Sequence, residues 1–232
     1  MALFSLEGFL FLLRWFHFLA GITWIGMLYY LNFAQTPFFA TELGGQARSA
    51  VMRGMVPNVL WWFRWGAMFT FLTGWTIVIT KIAVGGSSMA YYATILTGGI
   101  LGTFMWYNVW FVIMPRQRIA IANAEGVAAG KPADPAAAAV APVAGRASRT
   151  NVLFSIPMLF FMGAASHLTL ASHETPNVHV HIIVVLVLAA LAEANIFAGN
   201  ATTQKPLATV SGTIHAGLAL TVVLWLAATI LL

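Results

Sequence analysis

Long apolar runs alternate with short polar connections along almost the whole chain. About 20 apolar residues in helical form cross the hydrocarbon of a bilayer. By that measure the pattern predicts six spans, at 8–33, 57–82, 90–113, 151–171, 178–199 and 209–231. The predicted fold is therefore an all-α integral membrane helical bundle of about six transmembrane helices, with residues 1–232 as a single transmembrane domain. Segment 41–55 (TELGGQARSAVMRGM) is too short and too polar to span, and is expected as an interfacial helix or loop ahead of Pro57. Residues 115–149 hold the one low-complexity stretch, AAGKPADPAAAAVAPVAGRAS. Its Ala/Pro/Gly bias predicts a flexible cytoplasmic loop.

Lysine and arginine in the connections orient such a bundle, because positive loops stay on the cytoplasmic side. Arg48, Arg53, Arg116, Arg118, Lys131, Arg146, Arg149 and Lys205 fall in the connections on one side. The other side has the two termini, the 83–89 turn beside Lys81 and the 172–177 loop with Glu174. Both termini are thus expected to be periplasmic, in a multi-pass protein of the bacterial inner membrane in contact with lipid. Glu7 and the absence of a basic residue before the first apolar run argue against a cleavable signal there.

Composition sharpens this picture in two ways. Charged residues are 7% of the chain and mean hydropathy is +0.86, far from the roughly 25% charged of soluble domains. The formal net charge of +5 is scattered over membrane loops and makes no footprint for nucleic acid. There is no cysteine. That excludes disulfides, thiolate-held metal clusters and a haem attached through C-x-x-C-H.

Chemistry enters with the first span, whose stretch LLRWFHFLAGITWIGMLYYLN carries Arg14 and His17. A charged side chain in hydrocarbon costs roughly 3 kcal/mol or more, so intramembrane ionisable groups point to function. Arg14 lies three residues before His17, on the same helical face and one turn nearer the N-terminal membrane surface. That pairing suits haem b, with an axial imidazole and a guanidinium to meet a propionate. The plainer reading is a histidine that hydrogen-bonds a neighbouring helix.

Under the predicted orientation His17, His167, His173, His179 and His181 all fall in the outer half of the membrane or at its outer surface, leaving one of the 6 histidines elsewhere. His167, in FFMGAASHLTL, is the preferred second axial ligand, so His17 and His167 form the expected metal-binding pair. His179 and His181 compete for that role, but residues i and i+2 point about 200° apart on a helix and only one can face a given haem. One haem is expected, or two if His215, about 9 Å from the cytoplasmic end of the last span, is also a ligand. Otherwise His215 belongs to a polar network or quinone pocket. The cluster His173, His179 and His181 offers an alternative copper or zinc site at the outer surface.

Glu193, Asn195 and Asn108 lie inside spans and either bridge helices or, for Glu193, serve a proton path. Trp61, Trp62, Trp65, Trp106, Tyr107 and Trp110 read as an interfacial aromatic belt. Gly98 and Gly102 form a G-x-x-x-G packing face.

Three stretches in order, RWFHFLAGITWIGMLYYLNF, NVWFVIMPRQ at 108–117 and SRTNVLFSIPMLFFMGAASH at 148–167, resemble the membrane domain of the bacterial PuuD-type urate oxidase family. The likeness covers most of the first four spans. A more distant one links the first span to HemJ-type protoporphyrinogen oxidase and CopD-type copper proteins. The resemblance marks His17, Asn108, Arg149, Asn151 and His167 as positions that matter. In that family a periplasmic cytochrome c domain follows the membrane domain and takes its electrons. Residues 1–232 include no such domain and no cysteine, so a separate cytochrome c or another redox subunit is the expected acceptor. The expected function is a membrane haem b redox protein, passing electrons from a small substrate or quinol to a cytochrome c or respiratory complex, with an oxidoreductase activity of the urate oxidase type or an electron-transfer role. Two alternatives stand beside it: a cofactor-free accessory subunit of a hetero-oligomeric respiratory or oxidase complex, and a copper-handling membrane protein.

Overall fold

Five polar side chains start the helices. Ser5, Thr41, Ser88, Asp134 and Thr209 each stand just before a helical run and accept the amide hydrogen of Gly8, Gly44, Tyr91, Ala136 and Gly212, at 2.9–3.1 Å. Such caps satisfy amide groups that have no partner within the helix. The structure, a computed structural model, describes residues 2–168, 170 and 175–232. Among these there are seven long helices and no strand: α1 (Leu6–Phe38), α2 (Glu42–Gly54), α3 (Val56–Val84), α4 (Met89–Ala128), α5 (Pro135–His167), α6 (Val178–Ala198) and α7 (Val210–Leu231). The protein is an all-α membrane helical bundle. The 41–55 segment forms α2, within the expectation of an interfacial helix or loop.

Helices α1, α3, α4, α6 and α7 are each long and apolar enough to cross a membrane. Their outward faces show why. Phe11, Trp15, Phe18 and Ile22 of α1 are exposed, Ile22 by 72%, a pattern unfavourable in water and natural in lipid. The expected span at 151–171 is the second half of α5, which ends at His167 and is not among the five most apolar helices. Its position supplies the reason. Helix α5 packs against α1, α4, α6 and α7, so Phe154, Phe161, Asn151 and Ser155 face protein and are fully buried. A helix lined by other helices can carry polar groups that a lipid-facing helix cannot.

The predicted flexible loop at 115–149 is corrected by the structure. Helix α4 runs on to Ala128 and α5 begins at Pro135, leaving only a short connection. Alanine is the best helix former, and proline at the first helical position starts a helix without losing a bond. An alanine-rich composition therefore favours helix here. The turn closes at Gly130, whose φ of 82° suits glycine. The Lys131 amide returns to the Gly126 carbonyl (2.9 Å) and the Asp134 amide to Asn123 Oδ1 (2.7 Å).

Helices α1 and α3 pack antiparallel, with Trp24 against Gly66, Gly21 against Thr70 and His17 against Gly74. A Cβ on Gly66 would stand 3.0 Å from the Trp24 amide nitrogen, so glycine sets how closely these helices approach. The G-x-x-x-G at Gly98 and Gly102 is a packing face: both glycines lie against Met158, and Gly98 also against Met162, of α5. At the end of the bundle holding the termini, the Asn177 amide bonds the Leu231 carbonyl (2.7 Å), and Tyr92 Oη donates to the Lys81 carbonyl (2.8 Å).

Candidate functional site

His17 is half-buried between α1 and α3, with Nδ1 3.0 Å from Thr73 Oγ1. The Thr73 hydroxyl spends its own hydrogen on the Phe69 carbonyl at 2.6 Å, so it accepts from Nδ1–H. That leaves the lone pair on Nε2, the nitrogen a metal takes when the other ring nitrogen is fixed by a hydrogen bond. Gly74 closes on the ring from α3; a Cβ there would lie 3.0 Å from Cε1. Arg14, one turn away on the same helix, is exposed.

His181 has the mirror arrangement. It is completely buried, and its Nε2 lies 2.8 Å from Thr97 Oγ1. The Thr97 hydroxyl donates to the Ala93 carbonyl at 3.0 Å, so Nε2–H donates and the lone pair falls on Nδ1. Nδ1 is buried without a partner. His179, two residues earlier, is exposed, as the 200° separation requires.

The other histidines are placed differently. His167 is exposed at the C-terminal end of α5, while His17 bonds Thr73 of α3. His215 is exposed, and its Nδ1 lies 2.7 Å from the Ser211 carbonyl. His173 lies outside the described residues. Among the described residues, no group of three or more His, Asp or Glu side chains comes together as a metal site.

A second polar centre lies deeper in the bundle. Asn108 Nδ2 donates to Asn151 Oδ1 (3.0 Å) and to Glu193 Oε2 (2.9 Å), and Asn151 Nδ2 donates to the Met105 carbonyl (3.0 Å). Asn108 and Asn151 are fully buried, while Asn108 Oδ1 and Glu193 Oε1 are buried without partners. Asn108 also opens a π-helical turn, Asn108–Ile113; such turns inside α-helices often mark functional sites. Asn195, grouped with Glu193 on sequence grounds, instead donates to the Thr203 carbonyl (3.1 Å) in the α6–α7 connection.

The two polar centres are rungs between the same helices. Thr97 and Asn108 are on α4, His181 and Glu193 on α6, each pair about three turns apart. Helices α4 and α6 therefore run parallel, and the lower rung fixes the register of the upper. Helix α3 joins this unit through Trp75 Nε1, which donates to Thr103 Oγ1 (3.1 Å), and through Phe71 stacked on Trp106 at 4.2 Å. Thr73 and Thr97, which fix the two imidazoles, were missed by sequence reading. Their only sequence signal is a hydroxyl at the depth of a histidine on another span.

A family model described as Urate oxidase N-terminal matches residues 87–227. The match takes in α4 to α7 almost entirely, with Asn108, Asn151, His181 and Glu193, and leaves His17 and Arg14 outside it. No curated protein and no solved structure matches the chain.

Proposed function

The chain belongs to the urate oxidase N-terminal family, and from that premise we propose that it is a membrane haem b protein of oxidoreductase type. It passes electrons from a small substrate or quinol to a cytochrome c or a respiratory complex. One observation carries the reading. His17 is an intramembrane imidazole whose ring is fixed at Nδ1 by Thr73, so that Nε2 is the free donor atom.

Two chemical observations support the group. Imidazole is a usual axial ligand of haem iron. A second imidazole, His181, is wholly buried with an orphaned Nδ1, which suits the inside of a cofactor site better than exposed His167 or His179. Bound there, haem supplies one-electron transfer, with its potential set by axial ligands, hydrogen bonding and burial.

The chain's own residues hold and orient. Thr73 keeps the His17 ring in one tautomer and one rotation, and Gly74 leaves room for that ring against α3. Thr97 does the same for His181 from α4. The Asn108–Glu193 rung ties α4 to α6 and so keeps Thr97 beside His181. Arg14, exposed one turn nearer the surface, offers a guanidinium to a carboxylate at the cofactor's edge.

The test is rapid mixing of detergent-purified, haem-loaded protein with a quinol and then with soluble cytochrome c. Reduction followed by reoxidation within the mixing experiment supports the reading. A haem-free preparation that transfers electrons equally well overturns it.

A further inference from the structure

At the end of the bundle away from the termini, a cavity of about 530 Å³ opens between α1, α3, α4, α5 and the α6–α7 connection. Arg146, Arg149 and Lys205 line it, and among the described residues no aspartate or glutamate does. Leu31, Leu60, Phe63 and Ile113 form an apolar wall. Both π-helical turns among the described residues border it: Asn32 and Gln35 come from the turn Tyr30–Gln35 of α1, and Ile113 from the turn Asn108–Ile113 of α4.

Two side-chain atoms on this cavity's lining residues are buried without partners. Arg149 Nη1 is a donor and Gln35 Oε1 an acceptor. A buried polar atom left unpaired is costly, so both point to a ligand that brings an acceptor for the arginine and a donor for the glutamine. Arg146 is already anchored, its Nε donating to the Ile196 carbonyl at 2.8 Å.

We propose that this cavity binds the headgroup of an anionic phospholipid of the phosphoglycerol class. The phosphate sits on Arg149, Arg146 and Lys205, a glycerol hydroxyl donates to Gln35, and the acyl chains leave along the apolar wall. Basic pockets between membrane helices at headgroup depth suit this chemistry. A choline headgroup brings its own cation into a cavity that has three and no acid to meet it. A free phosphate has nothing to cover the apolar wall. This site is separate from the histidines, and its test does not depend on them.

The experiment is native mass spectrometry of the full chain, delipidated in detergent and then titrated with phosphatidylglycerol, phosphatidylcholine, glycerol 3-phosphate or inorganic phosphate. Phosphatidylglycerol is expected to bind at least about tenfold more tightly than phosphatidylcholine, and R149Q to lose about tenfold, as the loss of one charge-assisted bond implies. K205Q, in the connection, weakens binding less. K81Q, at the opposite end, leaves it unchanged. Equal binding of the two lipids, or native affinity in R149Q, overturns the proposal. Glycerol 3-phosphate binding as tightly as the lipid also overturns it, and assigns the cavity to a soluble anion. If circular dichroism shows R149Q unfolded, K205Q and the lipid ratio decide.

Discussion

Asn108 and Glu193, 85 residues apart in sequence, meet inside the bundle with Nδ2 2.9 Å from Oε2. The same amide nitrogen also serves Asn151 at 3.0 Å, so one side chain holds α4, α5 and α6 together. Interhelical hydrogen bonds in membrane proteins contribute about 0.6 kcal/mol on average and up to about 1.7. Asn108→Ala is therefore expected to destabilise the protein by roughly 1–3 kcal/mol, since two such bonds are lost. Glu193→Ala should cost less, and the double variant less than the sum. Thermal or denaturant unfolding in detergent measures all three; strictly additive losses would show that the pair is not coupled.

The helical pattern and the family were legible in the sequence because membrane spans write themselves as apolar runs and the stretches around Asn108 and Asn151 are distinctive. The Ala/Pro-rich stretch misled because Pro132 falls in the short connection, Pro135 starts a helix and Pro142 is tolerated within one. The site was only half legible. His17 and His181 could be named as intramembrane histidines. Which of them is buried depends on helix rotation, which apolar runs hide because every face is apolar. The π-helical turns that shape the basic cavity leave no mark in composition at all.

Helix contact at glycine gives a second prediction. A Cβ on Gly217 of α7 would lie 2.6 Å from Ile156 Cδ1 and 2.9 Å from the Leu153 carbonyl of α5. Backbone cannot give way cheaply, so Gly217→Ala should destabilise by about 1–3 kcal/mol. Gly26 has nothing within 4 Å of its Cβ position. Gly26→Ala should be neutral or stabilise by up to about 1 kcal/mol, as alanine replaces glycine in a helix interior. Unfolding of the two variants side by side checks this, and equal melting temperatures would contradict the packing.

The threonines that hold the imidazoles provide a third. Thr73→Val removes the acceptor of His17 Nδ1–H while keeping the side chain's size. Loss of such an outer partner typically lowers metal affinity about 10- to 100-fold. Haem retention on dilution should fall by that order with the helical circular dichroism unchanged. Unchanged retention would show that Thr73 has no part in orienting a ligand.

A fourth separates the histidines. His181 is wholly buried and His167, His179 and His215 are exposed. His181→Ala should abolish or shift the low-spin haem signal, whereas His167→Ala and His215→Ala should leave it in place. Magnetic circular dichroism of each variant reads the axial ligation directly. A signal lost in His167→Ala and kept in His181→Ala would restore the first-span and α5 histidines as the pair.

The most direct measurement is a reduced-minus-oxidised visible spectrum of the detergent-purified protein, with a pyridine haemochrome assay for stoichiometry. The account predicts a b-type spectrum at about one haem per chain, absent in His17→Ala. A fully helical, monodisperse protein with no absorbance above the protein background, or a His17→Ala variant with the full signal, would contradict it.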